Sequence, residues 1–338
     1  MDRERIVRTV AESLVDRCIR EIERDPKGGL RSLVDLGRPF VKEPYQRQYL
    51  KLVKEIEAHE DSPYYTMLGN LVKRVDHDII KTVGLNMGLG SWSSGAKTIR
   101  RLEVEQRCHI PWWLTLHLDQ STDLTLYHRA VDQGRENGIF TYLLQVDAPG
   151  VDLGSALELI RRAPSCTFLL LAAPEDFSSR AVAAMAACHH LVPAVDTQRP
   201  GWEEAAARLE SHHCLYGVWR SCGEQSDVAE LLDGRWLQRV AAACCPSVVL
   251  CASALDCPRE LGHAIEGYVR RTRGAQAHPL LLIDLVSDYF YVDEMISPGG
   301  CMVDLWPDGA AALRRRGGGA ARRLHLGDRP LDQLWREE

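Results

Sequence analysis

The stretch from Ile110 to Gly150 constrains the fold more than any other part of the chain. An apolar run, Pro111 to Leu118, ends in Asp119. A helical pattern follows, with Leu124, Tyr127, Ala130 and Val131 on one face and Gly134 and Gly138 near its end. A second apolar run, Ile139 to Val146, closes on Asp147. Two apolar strands joined by a helix of this length pair in parallel, as a βαβ unit.

The pattern repeats. Strands are expected at 111–118, 139–146, 166–172, 191–195, 214–219, 247–252 and 279–285. Helical patterns fill the gaps at 151–162, 178–187, 202–210, 227–242 and 257–271. Such alternation predicts an α/β fold with a parallel sheet whose strands are covered by crossover helices. The number of repeats favours a partial or closed (β/α) barrel over an open doubly wound sheet. No G-x-G-x-x-G follows the first strand, which weighs against a dinucleotide site.

Four segments are expected along the chain. Residues 1–83 read as an all-helical N-terminal segment: one helix to Asp25-Pro26, a short one before Pro39, a third over about 44–59 and a fourth over about 63–83. Residues 84–108 hold a glycine-rich connector, GLNMGLGSWSSG, expected to be a flexible turn anchored by Trp92, and then a helix. The connector matches neither a Walker loop nor a dinucleotide loop. Residues 109–309 form the barrel, and 310–338 a basic tail, expected to be a solvated arm whose last turn, with Leu331, Leu334 and Trp335, docks on the barrel, or a partner-binding arm.

Composition bounds the function. The net charge of −6 argues against a nucleic-acid partner. MDRERIVRTV carries no apolar signal region, and no apolar run is long enough to span a membrane. Eleven cysteines are many, but the number is odd and the chain is large. Reduced thiols in the cytoplasm are the expectation.

The collinear order of motifs carries a resemblance. After the helical segment come IPWWL on the first strand and QGRENGIFTYL at the second. RAPSCTFLLLAAP, LVPAVD and CLYGV follow, and last PLLLIDLVSDYFYVDEMISPGGCMVDLWPDG. This resembles bacterial radical S-adenosylmethionine (SAM) proteins with a partial barrel and a SPASM-like extension. Asp284, Asp288, Tyr291, Val292, Gly300, Cys301, Asp308 and Gly309 stand at matching positions, and the resemblance spans about residues 60 to 309. It implies a [4Fe–4S] cluster held by a CxxxCxxC loop after the first strand, with SAM on the open iron.

Three departures remove those ligands. No cysteine lies between Cys108 and Cys166. Val146-Asp147-Ala148-Pro149-Gly150 stands where the resemblance expects a glycine-rich SAM-binding turn. Cys301 is the last cysteine, so auxiliary clusters lack ligands. No cofactor is therefore expected.

The remaining polar residues offer weaker candidates. Cys244, Cys245, Cys251 and Cys257 fit no metal spacing and read as core thiols. His189-His190 and His212-His213 precede strands and read as surface histidines. Asp119, Asp147, Asp196 and Asp284, with Arg220 and Asp288, are expected at the C-terminal ends of strands, the end where barrels build function. His117 joins them if it points inward.

Two functions follow. One is a degenerate radical-SAM-like barrel kept as a binding or scaffold partner of an active homologue, a peptide or another copy of itself. The other is a non-radical enzyme working from the acidic rim of Asp119, Asp147, Asp196 and Asp284, or an unorthodox radical SAM enzyme.

Overall fold

The computed structural model describes residues 3–37, 53–122, 124–148, 150–223, 225–253, 257–316, 321–327 and 329–336. The expected boundary at Pro39, most of the third helix, Pro149 and the tail glycines 317–319 lie outside these. Residues 53–57, at the far end of the third helix, are helical.

One mixed sheet organises the chain. Its strands are β1 (Trp113–Leu118), β2 (Thr141–Val146), β3 (Thr167–Ala172), β4 (Leu191–Asp196), β5 (Gly217–Cys222), β6 (Val248–Ser253), β7 (Leu282–Asp284), β8 (Cys301–Leu305), β9 (Ala310–Arg315) and β10 (Arg322–His325). The spatial order is β10-β9-β8-β1-β2-β3-β4-β5-β6-β7. Strands β1 to β7 run parallel and in sequence order, the succession of a partial (β/α) barrel. Among the described residues β7 pairs only with β6, so the sheet is open and the closed alternative is set aside.

Three differences from expectation have physical causes. β5 begins three residues later than predicted, because Cys214 and Tyr216 are buried ahead of the strand and mimic its apolar run. The single helix expected over 227–242 is two, Gln225–Leu232 and Arg235–Ala243, broken at Gly234 with φ +79°. The helix expected over 63–83 is likewise two, Pro63–Arg74 and His77–Leu85. Asp76 caps the second by accepting from Asp78 N at 2.7 Å.

The connector 84–95 is not a loose turn. Asn86–Gly95 is π-helical and packs on the sheet. Asn86 donates through Nδ2 to the carbonyls of Pro164 (3.0 Å) and Cys166 (2.8 Å), and Ser91 Oγ meets Thr141 Oγ1 at 2.7 Å. Small residues let this backbone approach the starts of β2 and β3. A side chain at Gly95 would collide with the carbonyl of Gly138.

The N-terminal helices close one end of the sheet. Asp76 N donates to His213 O (2.9 Å), His213 Nδ1 donates to Arg74 O (2.8 Å), and Ser62 Oγ bonds Gln276 Oε1. These partners precede β5 and β7, so the described helices meet the N-terminal ends of those strands. His190 is a correction to the surface-histidine reading: it is buried, with Nε2 donating to Ile160 O at 2.8 Å.

The start of β1 is held by aromatics. Trp112 stacks on Tyr289 with ring centres 5.6 Å apart, and its Nε1 donates to Tyr289 O at 3.2 Å. Tyr289 belongs to the helix Leu285–Ile296, and its hydroxyl donates to Cys301 O at the head of β8. β1, that helix and β8 are therefore tied before the strands reach the open end.

The tail is not an arm. Ala310–Arg315 pairs antiparallel with β8 and Arg322–His325 antiparallel with β9, so both extend the sheet, while Leu331, Leu334 and Trp335 of the last turn are buried, as the docked end was expected to be. The arginines had masked the alternating apolar positions Ala311 and Leu313.

Candidate functional site

Strand register sorts the rim residues onto two faces. Tyr142 donates its hydroxyl to Val131 O, so its side of β2 faces the helix Leu124–Glu136. Leu114, Leu116 and Leu118 share that side, while Thr115 and His117 point to the opposite, inner face with Leu143 and Gln145. Asp304 of β8 pairs with Thr115 and so shares the inner face. Following the pairings across the sheet, Arg220, Cys251 and Asp284 form one row on the helix-facing side.

The six carboxylate and arginine candidates therefore do not meet at one mouth. Asp119 folds its own turn, accepting from Ser121 N (2.8 Å) and Ser121 Oγ (2.7 Å); the serine bond chiefly holds its carboxyl below the usual range. Asp196 accepts from Gln198 N at 2.9 Å and lies 3.5 Å from Arg199 Nε, with burial raising its pKa. Asp284 caps the helix Leu285–Ile296, accepting from Val286 N and from Ser287 Oγ at 2.5 Å, and burial raises its carboxyl too. Asp288 takes a two-pronged contact from Arg273 at 2.7 and 2.9 Å. Arg220 is 2% exposed beneath the helices, donating to Glu230 Oε2 at 2.9 Å and lying 5.3 Å from the Trp236 ring centre. Arg220→Ala should lower unfolding free energy by about 2 kcal/mol, since it leaves the half-buried Glu230 with the more distant Arg239 (3.6 Å) and opens a hole beside Trp236. Denaturant titration checks it, and Glu230→Gln in the same background should recover part of the loss.

Asp147 alone joins a cluster. Its Oδ2 accepts from His117 Nδ1 at 2.7 Å, and the other ring nitrogen, Nε2, donates to Asp304 Oδ1 at 3.1 Å. Asp304 Oδ2 lies 3.5 Å from an Arg314 guanidinium nitrogen on β9. The imidazole stacks on Trp306, centres 4.4 Å apart at 12°, and Arg323 sits over the same indole at 5.8 Å. Tyr127 fastens the backbone beneath by donating to His117 O and to Leu305 O. Because each ring nitrogen faces a carboxylate oxygen, both carry a proton. Burial disfavours that charge, but the bonds to Asp147 and Asp304 and their negative charge outweigh it, and the pKa is pushed up to about 9. The two carboxylates therefore favour the imidazolium form of His117 at neutral pH.

Asp304, Trp306 and Arg314 are site residues beyond the sequence candidates. The signal was there: an aspartate inside the apolar run CMVDLW is a buried charge that needs a partner.

The loop after β1 is where the resemblance expects cluster ligands. Here Leu118 passes through Asp119, Gln120, Ser121 and Thr122, and the helix starts at Leu124. Asp119 N donates to Thr122 Oγ1, which returns a bond to Asp119 O, both 2.8 Å. The nearest cysteines in sequence flank the other end of the sheet. Cys108 is buried before β1, and Cys166 is buried before β3 with desolvation pushing its thiol up to about 12. This donor set does not fit a [4Fe–4S] cluster, which is held by several cysteine thiolates converging on one point. Among the described residues no group of three or more His, Cys, Asp or Glu is arranged to hold a metal ion. Cys251 is buried in β6, while Cys244, Cys245 and Cys257 are half-buried. Nor is any helix of the described residues long and apolar enough to cross a membrane.

No family model matches the sequence. No curated protein matches it either. Solved structures similar to it include three of Streptococcus suis SuiB. The one bound to S-adenosylmethionine has TM-score 0.46 and 13% identity, covering 72% of this chain and 67% of that chain. The one bound to precursor peptide SuiA has TM-score 0.46 and 12% identity, covering 72% and 68%. The third, SuiB itself, has TM-score 0.47 and 11% identity, covering 72% and 69%.

Proposed function

We propose that the chain is a radical-SAM-like barrel without an iron–sulfur cluster of its own, working as a binding or scaffold protein. One observation carries this. The inner face at the mouth is occupied by a self-neutralising chain of charges, Asp147–His117–Asp304–Arg314, capped by Trp306. Two carboxylates and two cations cancel, and the imidazolium is held from both sides. Such a network specifies geometry and leaves little reactivity. The short Asp119 turn supports the same reading, because it joins strand to helix without a ligand-bearing loop.

The acidic-rim enzyme has less support. Asp119, Asp284 and Asp288 serve a turn, a helix cap and an ion pair, and Asp284 lies on the helix-facing side. A partner could be an active homologue, a peptide or a second copy of the chain.

Calorimetric titration with SAM tests the proposal. The expected result is no saturable heat, with or without prior anaerobic treatment with iron and sulfide. Stoichiometric SAM binding after that treatment would overturn it.

A further inference from the structure

The sheet ends at β10. Its four residues pair on one side with β9, and among the described residues no strand pairs with the other side. Leu326 N donates to Gly309 O at 2.7 Å, which sets the alternation of the ladder. Leu324 and Arg322 turn their main-chain groups toward β9, while Arg323 and His325 turn theirs to the open edge. Arg322, Arg323 and His325 are all exposed.

This edge carries a concentrated charge. Besides Arg314, which Asp304 faces, residues 310–329 contain Arg315, Arg316, Arg322, Arg323 and Arg329 against the single Asp328, in a chain whose net charge is −6. Arg323 also leans over Trp306, whose other neighbour is His117. The open edge therefore adjoins the charged network at the mouth.

We propose that the free edge of β10 takes an acidic peptide in extended conformation as an added strand, held by main-chain bonds to Arg323 and His325 and by the surrounding arginines. This rests on the binding-protein reading and names its partner. Strand addition supplies affinity through the main chain and selectivity through side-chain charge. A basic or neutral strand gains nothing from these arginines. A second copy of β10 is disfavoured, since it would bring Arg322 and Arg323 against arginines of the same kind.

The test uses the full chain and a fluorescein-labelled twelve-residue peptide of alternating Glu and Val, followed by anisotropy at low and moderate salt. Saturable binding is expected, weakening with salt, and a Lys–Val peptide of equal length should show none. The double substitution R322E/R323E should weaken binding by about tenfold or more. His325→Pro keeps every arginine and the inner ladder but deletes one edge N–H, so it too should weaken binding if the peptide lies as a strand. Circular dichroism and thermal melts confirm that each variant is folded. N-methylation of alternate peptide residues should abolish binding in one register only. No binding by the wild type would overturn the proposal, as would full binding by folded His325→Pro or tighter arginine-dependent binding of an oligothymidylate. The two readings fail separately. A cluster-loaded protein that still binds the peptide sinks the scaffold reading, whereas a cluster-free protein that ignores it sinks this one.

Discussion

Replacing His117 with alanine is expected to lower unfolding free energy by about 3 kcal/mol or more, because removing one member of a buried charge network leaves its partners uncompensated. Asp304 is 5% exposed and would keep only the 3.5 Å approach of Arg314. Asp147, at the edge, would turn to water. Trp306 would lose its stacked ring and Arg323 its support. His117→Gln should fall between, since one amide can donate to one carboxylate but carries no charge. Urea denaturation of the three proteins at pH 7 gives the ranking. A His117→Ala protein as stable as the wild type would mean the network holds nothing together.

The second large effect is on the pH dependence of stability. Among the buried groups with raised pKa values, His117 and Asp293 carry the large shifts that fall between weakly acid and alkaline pH, and both act in the same direction. His117 is raised from 6.5 to about 9, so its stabilising contribution is complete below about pH 6.5 and lost as pH climbs through 9. Asp293, on the helix Leu285–Ile296, is raised from 3.8 to about 8 by burial first and then by the charges of Glu103 and Glu294. It folds best protonated, so its contribution fades as pH rises from about 4 and is gone above 8. Glu103, 8% exposed and accepting from Ile110 N at 2.8 Å, is raised by burial as well. Stability should therefore decline steadily from weakly acid to alkaline pH. Asp293→Asn cannot ionise: it should be more stable than the wild type near pH 8 and should flatten the profile between about pH 4 and 8. His117→Gln should flatten the limb between 6.5 and 9 instead. Denaturant midpoints at half-unit pH steps separate the two, and parallel profiles for all three proteins would contradict both assignments. Gly300 belongs to this arrangement, since a side chain there would run into the Asp293 carboxylate.

The alternation of strands and helices was legible because a parallel strand buried on both faces is a continuous apolar run. β1 to β4 and their helices lie within two residues of where periodicity puts them. Legibility failed where another signal imitated or hid the pattern. Cys214 and Tyr216 are as buried as a strand and moved the expected β5 toward the N-terminus. That slip placed Arg220 at a strand end on the mouth, whereas it sits inside β5 facing Trp236. A one-residue change of register flips every side chain to the other face. The arginines of β9 and β10 read as a solvated arm because charge dominates the local average, although Ala311 and Leu313 alternate beneath it.

The site shows the same limit. Asp147 could be named from its place after a strand, but its partner His117 lies 30 residues away, and the other partner of that ring, Asp304, lies 187 residues from His117; only the sheet order unites them. β8 inserts beside β1 rather than after β7, and no local pattern encodes that neighbour. Asp119, Asp284 and Asp288 illustrate the converse. Aspartate is common at strand ends because it caps helices and closes turns, and that is how these three are used.

We propose that the mouth of this open barrel is filled by its own charges and, among the described residues, offers no thiolates to hold a cluster. Anaerobic reconstitution with iron and sulfide, followed by desalting and by iron and sulfide analysis with a visible spectrum, tests it most directly. The account predicts no retained iron or sulfide and no broad blue-violet absorption. Four irons and four sulfides per chain, retained through desalting with that absorption band, would contradict it.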